Sequence, residues 1–531
     1  MVILFGRRVD FTKIVTIVLL VAIVHRLSLL LYDTAPTLQT YLEYHPDRGY
    51  GVLYASSWRT LTQSLKDARP AIGSFSGFDP PPGSVVNPQD TVPPVVDMAH
   101  LSKGELKLLK SSHARFVKDL QTEGELSVIY KPGTKGIIFT ATGGELPYLL
   151  ISIRLLRKAG SQLPIEVFLL RQQDFNKKIC LEIFNSLNAR CSILEEHLGS
   201  SPMPSIPQSR NPRSIRSQEA LHKLLAIYAS TFEDVLLLDP STLAYNNPDS
   251  TLIDNPFTLS GLLFWPDFWA SSISPAMEDI QQNSDEKMTK LDSIRTVDFG
   301  QLAISKSQHR DTLLLSIFYT FYGPNLFEFL QNQSSAGDRG AQAIKCAARF
   351  ARKRYYQVKR QVEAIGFPNH DQKDAFQGVA MRQSFVADDF NAVPSEKQRP
   401  LFIRQSNPTL HPAYIMDRGV TVFKAPEDQK NAIEEHDSIN DSDPIRIPAI
   451  SPIKEDAGAH HRLWEWFDGK NMLNGWANFD PEKVVWEEIA KVACIDFKHF
   501  PDWPINDNKG NAQNCARINY HRGRLGWSNV V

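Results

Sequence analysis

The chain has almost no net charge and no internal repeat. Its 58 lysines and arginines face 59 aspartates and glutamates, so the net charge at pH 7 is −1. Nothing global therefore indicates a nucleic-acid partner, which a strongly basic chain would favour. The 28 glycines are outnumbered by 34 prolines. Because the prolines cluster, they indicate linkers rather than low complexity throughout the chain.

Cysteine is also scarce, with five residues in 531. This number is compatible with a lumenal protein that has one or two disulfides and a spare thiol. Cys180 and Cys191 are close in the sequence, and so are Cys494 and Cys515, which makes these the expected pairs. Spacing alone leaves five buried thiols as the alternative.

One long apolar run is present, near the N-terminus. Residues 14–32 approach the roughly 20 residues that cross a bilayer as a helix, and basic residues precede them. The pattern predicts a cytosolic tail over 1–13, a transmembrane signal anchor over 14–32 and a lumenal remainder. A cleaved signal peptide and a buried helix are the alternatives, but a good cleavage site is lacking and a Pro-rich spacer follows.

Composition divides the rest of the chain into four parts. Residues 33–97 predict a Pro-rich stem, and a dense α/β pattern occupies 98–425. Residues 426–461 are acidic and Pro-rich, which is typical of a flexible insertion or linker. The aromatic-rich segment 462–531 has globular composition, and we expect it to pack on the α/β region 98–425. Sequons at Asn332 and Asn440 would be glycosylated only if they were exposed in the lumen.

Strands and helices alternate in the α/β region. The predicted strands are 164–170, one within 191–198, 234–239 and 298–309, together with a short strand in 135–144 that opens into a glycine-containing loop. The predicted helices are 98–121, 145–160, 217–231 and 311–323. Strand, helix and strand in succession predict a mostly parallel sheet with helices on its faces.

Two strand ends suggest a site. TATGG (140–144) follows the first strand, and Asp239 ends the strand DVLLLD. Ligands in open α/β sheets bind beyond the carboxyl ends of the strands. Two carboxylates two residues apart would hold a divalent cation, but Ser241 stands where the second would be. The pattern thus predicts a metal site, a weakened one, or a strand followed by a loop.

Six ordered blocks resemble one family. They are KGIIFTATGGELPYLLISIRLLRKAGSQLPIEVFLL, CSILEEHLG, ALHKLLAIYASTFEDVLLLD, LLFWPDFW, FGQLAISKSQH and YYQVKRQVEAIGF. In this order and spacing they resemble the fungal Golgi α-mannosyltransferases, whose best-known members are α-1,3-mannosyltransferases. The resemblance covers roughly residues 100–425, and six ordered blocks are more specific than any single motif.

The resemblance implies a type II Golgi membrane protein with a GT-A-like nucleotide-sugar-binding domain. It implies GDP-mannose as donor, Mn²⁺ as cofactor and a mannose-containing glycan or glycoprotein as acceptor. Transfer would retain the anomeric configuration, with an α-1,3 linkage expected, in protein glycosylation or mannan synthesis. Partners would include other Golgi transferases and the membrane, but no nucleic acid.

The resemblance assigns the strand-end loop Thr140, Thr142, Gly143 and Gly144 to the nucleotide. Small residues let the backbone approach a ligand closely, although an ordinary strand-to-helix turn explains them equally well. Lys223 matches a family lysine that would face the diphosphate. A solvated helical lysine is the alternative.

Asp239 matches the first carboxylate of the family's Asp-x-Asp motif, and Ser241 replaces the second. With Asp239 and Ser241 as ligands, Mn²⁺ would bind weakly, because it prefers hard carboxylate oxygens. The alternative role of Asp239 is to cap the turn. Asn247 replaces a later family aspartate, and Arg404 and Gln405 stand where the family carries a histidine.

Three aspartates are the candidate catalytic residues. Asp338 lies in a segment that matches the family at Gly337 and is the best candidate for a carboxylate near the reacting sugar. Arg339 keeps the family's charge beside it, whereas Gly340 replaces a glutamate.

Asp267 in WPDFW would orient donor or acceptor, unless this motif is only an aromatic core corner. Asp298 stands where the family has glutamate, followed by a matching Gln301.

These departures leave two hypotheses. One is an active mannosyltransferase with a weakened metal site. The other is an inactive paralogue that binds glycans or partner transferases. His411 is a further candidate for the missing histidine.

Overall fold

The computed structural model describes most of the chain between residues 46 and 528. The described residues are 2–4, 7–9, 46–72, 97–122, 126–198, 212–281, 295–334, 339–369, 375–416, 462–464, 466–467, 470–471, 480–500, 503–505 and 507–528. The predicted anchor 14–32, the predicted linker 426–461 and Asp338 lie outside them. Within these ranges, no helix has the length and hydropathy needed to cross a membrane.

The chain divides into two compact units, Met1–Ser56 and Ser57–Val531. In the first, strands β1 (Val2–Leu4) and β2 (Arg7–Val9) pair antiparallel, and helix α1 (Pro46–Asp67) begins. All the features discussed below lie in the second unit.

Strands and helices alternate in the second unit. The described strands are β3 (Lys131–Ala141), β4 (Ile165–Leu169), β5 (Ala189–Ile193), β6 (Phe232–Leu238), β7 (Thr242–Ala244), β8 (Leu262–Ala270), β9 (Arg295–Ser305), β10 (Tyr356–Gln357), β11 (Glu363–Asn369), β12 (Ala375–Ser384), β13 (Pro400–Gln405), β14 (Trp466–Phe467) and β15 (Lys470–Asn471). The described helices are α2 (Lys103–Gln121), α3 (Leu146–Lys158), α4 (Phe184–Ser186), α5 (Leu194–Leu198), α6 (Pro212–Ala229), α7 (Phe257–Ser260), α8 (Pro275–Gln281), α9 (Arg310–Phe321), α10 (Glu328–Gln331), α11 (Arg339–Phe350), α12 (Val386–Phe390), α13 (Pro481–Lys491) and α14 (Asn508–Arg524).

A seven-stranded sheet in the order β10-β8-β9-β6-β3-β4-β5 forms the centre. Only β9 runs against its neighbours, and the other pairs are parallel. The prediction of an α/β fold with a mostly parallel central sheet is therefore confirmed.

Residues of the central strands alternate between two cores. In β6, Leu236 and Leu238 face one core, whereas Val235 and Leu237 face the other. Successive side chains of a strand point to opposite faces of the sheet, and both faces are covered here. Strands buried on both faces are expected to be continuously apolar, as VLLL is.

The second sheet is antiparallel and was not predicted. Its order is β15-β14-β11-β12-β13-β7. Strand β7 follows the turn Asp239–Ser241, so this turn connects the two sheets. Arg404 on β13 pairs with Thr242 on β7, which brings a distant part of the chain to the end of β6.

A helix lies inside the predicted stem. Trp58, Leu61 and Leu65 of α1 are buried in the same core as Leu109 and Phe116 of α2. Their spacing along α1 places them on one helical face. The boundaries predicted for the stem and the other domains stay predictions.

The C-terminal helices α13 and α14 contribute to the first core, through Trp486 and Ile518 among others. The expected disulfides are present, Cys180–Cys191 and Cys494–Cys515. The spare thiol of Cys346 is buried.

Asn332, the first residue of one predicted sequon, is fully buried. Its side chain accepts a hydrogen bond from the Ser272 hydroxyl. This sequon is therefore inaccessible to glycosylation in the folded chain, whereas the sequon at Asn440 lies outside the described residues.

Acid will destabilise the fold through His113 of α2. Its Nε2 lies 2.9 Å from the Tyr319 hydroxyl, and burial lowers the pKa of His113 to about 4. Since the pKa is about 6.5 in an unfolded chain, the unfolded state binds more protons between these values. Stability is therefore lost as the pH falls from about 6.5 towards 4, by on the order of 3 kcal/mol.

Urea unfolding at pH 7 and pH 4.5 measures this loss. We expect His113→Gln to reduce the pH dependence. Equal pH dependence in His113→Gln and the unchanged chain would contradict the assignment.

Candidate functional site

A cavity of about 680 Å³ opens at the carboxyl ends of β3 and β6. Helices α3 and α6 and the loop after β13 complete its walls. Its polar lining includes Thr140, Thr142, Lys223, Asp239, Ser241 and Arg404. The structure therefore brings together, at one edge of the sheet, residues that the sequence placed at two separate strand ends.

The turn after β6 is held by the carboxylate of Asp239. Its Oδ1 accepts hydrogen bonds from the backbone N–H of Ser241 at 3.0 Å and from the Ser241 hydroxyl at 2.7 Å. The Asp239 N–H donates to the carbonyl of Gly300 on the neighbouring strand at 2.8 Å. Asp239 thus caps the turn, which was the alternative role considered for it.

Lys223 of α6 forms an ion pair with Asp239. Its Nζ donates to Oδ2 of Asp239 at 2.7 Å and to the carbonyl of Phe299 at 3.2 Å. The Lys223 residue is 7% exposed, so it is not the solvated helical lysine of the alternative interpretation. Burial would raise the pKa of Asp239, but the charges of Lys223 and Arg404 outweigh burial and hold this pKa well below its usual range.

Arg404 of β13 brings a second positive charge. Its Nη1 lies 3.9 Å from Oδ1 of Asp239, and its Nε lies 3.1 Å from Oδ1 of Asp298. Asp298 is buried and also accepts hydrogen bonds from the Gly300 N–H at 2.9 Å and the Gln301 amide at 2.7 Å. Asp298, which does not line the cavity, therefore holds the guanidinium of Arg404 in place.

Gly300 leaves the space that Arg404 occupies. A Cβ at this position would lie 1.9 Å from Nη1 of Arg404. The Cδ and Cζ atoms of Arg404 would lie 2.6 Å from this Cβ, so Gly300→Ala must displace the arginine side chain, and circular dichroism must show that the variant is folded. We expect ligand affinity at the cavity to fall about tenfold to a hundredfold, as for loss of a hydrogen bond to a charged group. Titration of the purified variant with the ligand proposed below measures this change.

Gly523→Ala is the matched control, since a Cβ at Gly523 meets no atom within 4 Å. Its affinity should equal that of the unchanged chain. Unchanged affinity in Gly300→Ala would mean that the placement of Arg404 does not matter for binding.

The loop after β3 is stabilised by Glu145. Its carboxylate accepts hydrogen bonds from the backbone N–H of Thr142 at 2.7 Å and from the Tyr148 hydroxyl at 2.9 Å. The Gly143 N–H donates to Asp174. Thr140 and Thr142 line the cavity, whereas Gly143 lies by a smaller neighbouring one. The predicted nucleotide loop therefore presents its threonines to the cavity, not all four residues.

Residues 134–384 match the model of a family described as "Mannosyltransferase putative". The match includes the strand ends and helix that line the cavity. This segment is similar to that mannosyltransferase family, and fungal mannosyltransferases also match the chain. The match ends at the last residue of β12, so Arg404 lies outside it.

Three curated fungal proteins are similar to this chain. The α-1,2-mannosyltransferase MNN21 of Candida albicans is 28% identical over 74% of this chain and 62% of its own length. MNN23 of the same organism is 29% identical over 54% and 52%. MNN2 of Saccharomyces cerevisiae is 28% identical over 54% and 51%. The chain thus spans about half to three-fifths of the length of these relatives.

Solved structures of glycosyltransferases show partial likeness. A galactosyltransferase LgtC complex covers 42% of this chain and 73% of its own, at 15% identity and a TM-score of 0.29. An active-site mutant of LgtC covers 58% and 98%, at 12% identity and a TM-score of 0.31. GlyE of Streptococcus pneumoniae covers 43% and 45%, at 12% identity and a TM-score of 0.26.

Of the three candidate catalytic aspartates, the structure describes Asp267 and Asp298. Asp298 is buried behind Arg404, and Asp267 is 7% exposed and accepts a hydrogen bond from the Phe268 N–H. Neither lines the cavity. Asp338 lies outside the described residues, as does the side chain of Arg339. Gln301 is fully buried and donates to Asp298, so it supports Asp298 instead of lining the cavity.

Trp265 in the same motif as Asp267 is fully buried, and its Nε1 donates to the carbonyl of Ser384. A buried indole cannot stack on a sugar. For this tryptophan, the interpretation as an aromatic core corner is therefore correct.

Gly340 has a packing reason. A Cβ there would lie 2.4 Å from the Cβ of Ala220 and 2.8 Å from the ring of Phe299. Helix α11 packs on α6 and β9 too closely for the glutamate that the family carries. Close packing of these elements therefore explains why the chain has Gly340 where the family has glutamate.

Several lining residues were missed in the sequence. Glu145, Tyr148 and His222 line the cavity, and burial together with the charge of Arg171 lowers the pKa of His222 to about 4. The spacing of Glu145 and Tyr148 from Thr142 is typical of a capped helix start, which was the available signal.

His411 is not placed as a metal ligand. Its Nδ1 accepts a hydrogen bond from the Ala413 N–H, which leaves Nε2 to donate to the carbonyl of Gly144 at 3.1 Å. Both ring nitrogens are engaged by the backbone, and the ring stacks on Tyr414. A metal ion at His411 would have to replace one of these two hydrogen bonds, and the role of His411 in a metal shell stays a prediction.

The predicted ligands Asp239 and Ser241 do not fit a bound Mn²⁺ as they are placed. Oδ2 of Asp239 faces the Lys223 ammonium, and Oδ1 accepts from Ser241. A hard divalent cation prefers several carboxylate or carbonyl oxygens. Across the described ranges, no three His, Cys, Asp or Glu side chains are grouped as metal ligands.

Proposed function

We propose that this chain transfers mannose from GDP-mannose to a mannose-containing glycan. The observation that carries the proposal is that the family-matched segment itself supplies the two strand ends, Lys223 and Asp239 around one cavity. A polar cavity at the carboxyl ends of parallel strands suits a nucleotide-sugar. We also propose that the domain is GT-A-like.

The cavity residues have distinct tasks in this reaction. Thr140 and Thr142 lie where the loop approaches the nucleotide. Lys223 and Arg404 present positive charge where the departing diphosphate becomes more negative, and such fixed charges stabilise the transition state. The sugar passes through an oxocarbenium-like state, which a carboxylate stabilises. Asp338 stays the candidate for that carboxylate.

We propose an α-1,2 linkage and retention of configuration. The resemblance in the sequence predicted α-1,3 transfer, but the relatives with the matches given above are named α-1,2-mannosyltransferases. An α-linked donor and an α-linked product require retention. No observation favours the alternative of an inactive glycan-binding paralogue.

We further propose that the chain acts in the Golgi membrane, anchored by residues 14–32 with the cavity in the lumen. The basic residues before the apolar run support this orientation. Two cysteine pairs support an oxidising compartment. Location by immunofluorescence and by protease protection of sealed vesicles tests both statements.

The full chain, purified in detergent, can be assayed with radiolabelled GDP-mannose and α-mannobiose. We expect a labelled trisaccharide, and we expect a mannosidase specific for α-1,2 linkages to release the labelled terminal mannose from it. UDP-glucose is the control donor and should give no product. A chain that neither binds GDP-mannose nor produces trisaccharide would contradict the proposed function. A product resistant to the α-1,2-specific enzyme would contradict only the linkage.

A further inference from the structure

The ammonium group of Lys223 lies next to the Asp239 carboxylate, at the position that a metal ion would take if Asp239 were its ligand. Nζ of Lys223 lies 2.7 Å from Oδ2 of Asp239, and the Ser241 hydroxyl donates to the other oxygen at 2.7 Å. A divalent cation would have to displace Lys223, and it would gain from Ser241 only a hydroxyl.

A second cation is held over the same turn. The guanidinium of Arg404 lies between Asp239 and Asp298, at 3.9 Å and 3.1 Å respectively. Gly300 leaves room for it. Asp298 is 2% exposed, so the arginine has a fixed, buried counter-charge behind it. An arginine held in this way is ready to bind phosphate oxygens, because its planar N–H groups match them.

Lys223, Arg404 and Ser241 all line the same cavity. A departing diphosphate needs a divalent cation or basic side chains to offset its growing negative charge. An ammonium has three N–H donors, so a phosphate oxygen can replace another acceptor of Lys223, such as the Phe299 carbonyl, while the ion pair with Asp239 is kept. Asp239 and Asp298 then position the side chains of Lys223 and Arg404, whereas in a metal site the carboxylates would bind the metal ion directly.

We propose that Lys223 and Arg404 bind the diphosphate of the donor in place of a divalent cation, so that the reaction needs no added metal. This inference rests on the proposed function. It gives Asp239 and Asp298 the role of positioning residues, and it explains why an arginine stands where the family carries a histidine.

Binding of GDP to the full chain tests the inference, by calorimetry in EDTA and in MnCl₂. We expect dissociation constants that agree within about threefold, and mannosyl transfer in EDTA. Lys223→Gln and Arg404→Gln should each weaken GDP binding about tenfold to a hundredfold in EDTA. Lys107→Gln removes the same charge from an exposed position on α2 and should bind GDP like the unchanged chain.

Arg404→Gln alone leaves Asp298 buried without its arginine and is at risk of misfolding. The double variant Asp298→Asn with Arg404→Gln removes both charges and keeps the shapes. We expect it to melt like the unchanged chain and still to bind GDP weakly. If the double variant folds and binds GDP as tightly as the unchanged chain does, the inference is overturned.

Three outcomes separate the two proposals. Binding and transfer in EDTA support the inference. Binding and transfer only with Mn²⁺ overturn it and leave the proposed function intact. Absence of both GDP binding and transfer in either buffer overturns the proposed function, and the inference with it.

Discussion

Asp239→Asn will reduce mannosyl transfer about a hundredfold to a thousandfold, the effect of removing one preorganised group from a transition-state site. Asparagine keeps the shape of the side chain but not its charge. Lys223, 7% exposed, then loses its ion pair with the Asp239 carboxylate. The initial rate of transfer from GDP-mannose measures the loss.

Ser241→Ala is the matched comparison for this turn. It removes one hydrogen bond to Asp239 and no charge, so we expect a loss of about tenfold or less. Circular dichroism must show that both variants are folded. Full activity in Asp239→Asn would remove Asp239 from the site and leave it only the role of a turn cap.

Trp486→Ala will destabilise the chain by about 3–5 kcal/mol, the usual cost of truncating a buried tryptophan. Trp486 is 1% exposed and packs against His521 with ring centroids 4.5 Å apart. It also belongs to the core that includes α3 and the central sheet. Denaturant unfolding of the variant measures the change in stability.

Ile495→Ala is the control for Trp486→Ala, because Ile495 is 45% exposed on the same C-terminal segment. We expect it to change stability by less than about 0.5 kcal/mol. Equal stability of Trp486→Ala and the unchanged chain would mean that the C-terminal helices do not hold the first core.

The central sheet could be predicted because its strands carry a local signal. Strands such as IIF and VLLL are apolar on both faces, and α3 and α6 show helical spacing next to them. Both the period of the pattern and the order of the elements are properties of short segments. The prediction of a mostly parallel sheet followed from that order.

The second sheet could not be predicted in this way. Its strand β7 has three residues, and β11 and β12 contain polar residues and glycine. Their strand character depends on pairing with distant segments, which no local period records. The helix at Trp58 was missed for a different reason, because neighbouring prolines dominated the interpretation of residues 33–97 as a stem.

The same reason explains the candidate site. Asp239 and Lys223 were predicted because they lie in one family block, whereas Arg404 was noted only as a departure from the family. A single arginine on a late strand carries no signal of its own. Its position over Asp239 depends on the pairing of β13 with β7. Asp267 and Asp298 were predicted to be catalytic because they lie in family motifs. A motif does not record that both carboxylates are buried.

The pairing of β13 with β7 has a consequence for how the charge at the cavity is determined. Arg404 stands opposite Thr242 in this ladder, so strand register, not a mobile loop, determines its distance from Asp239. Displacement of β13 by one residue would turn the guanidinium to the other face of the sheet, and displacement by two would move it by about 7 Å. The backbone hydrogen bonds between β13 and β7 therefore determine where the positive charge of Arg404 lies in the cavity.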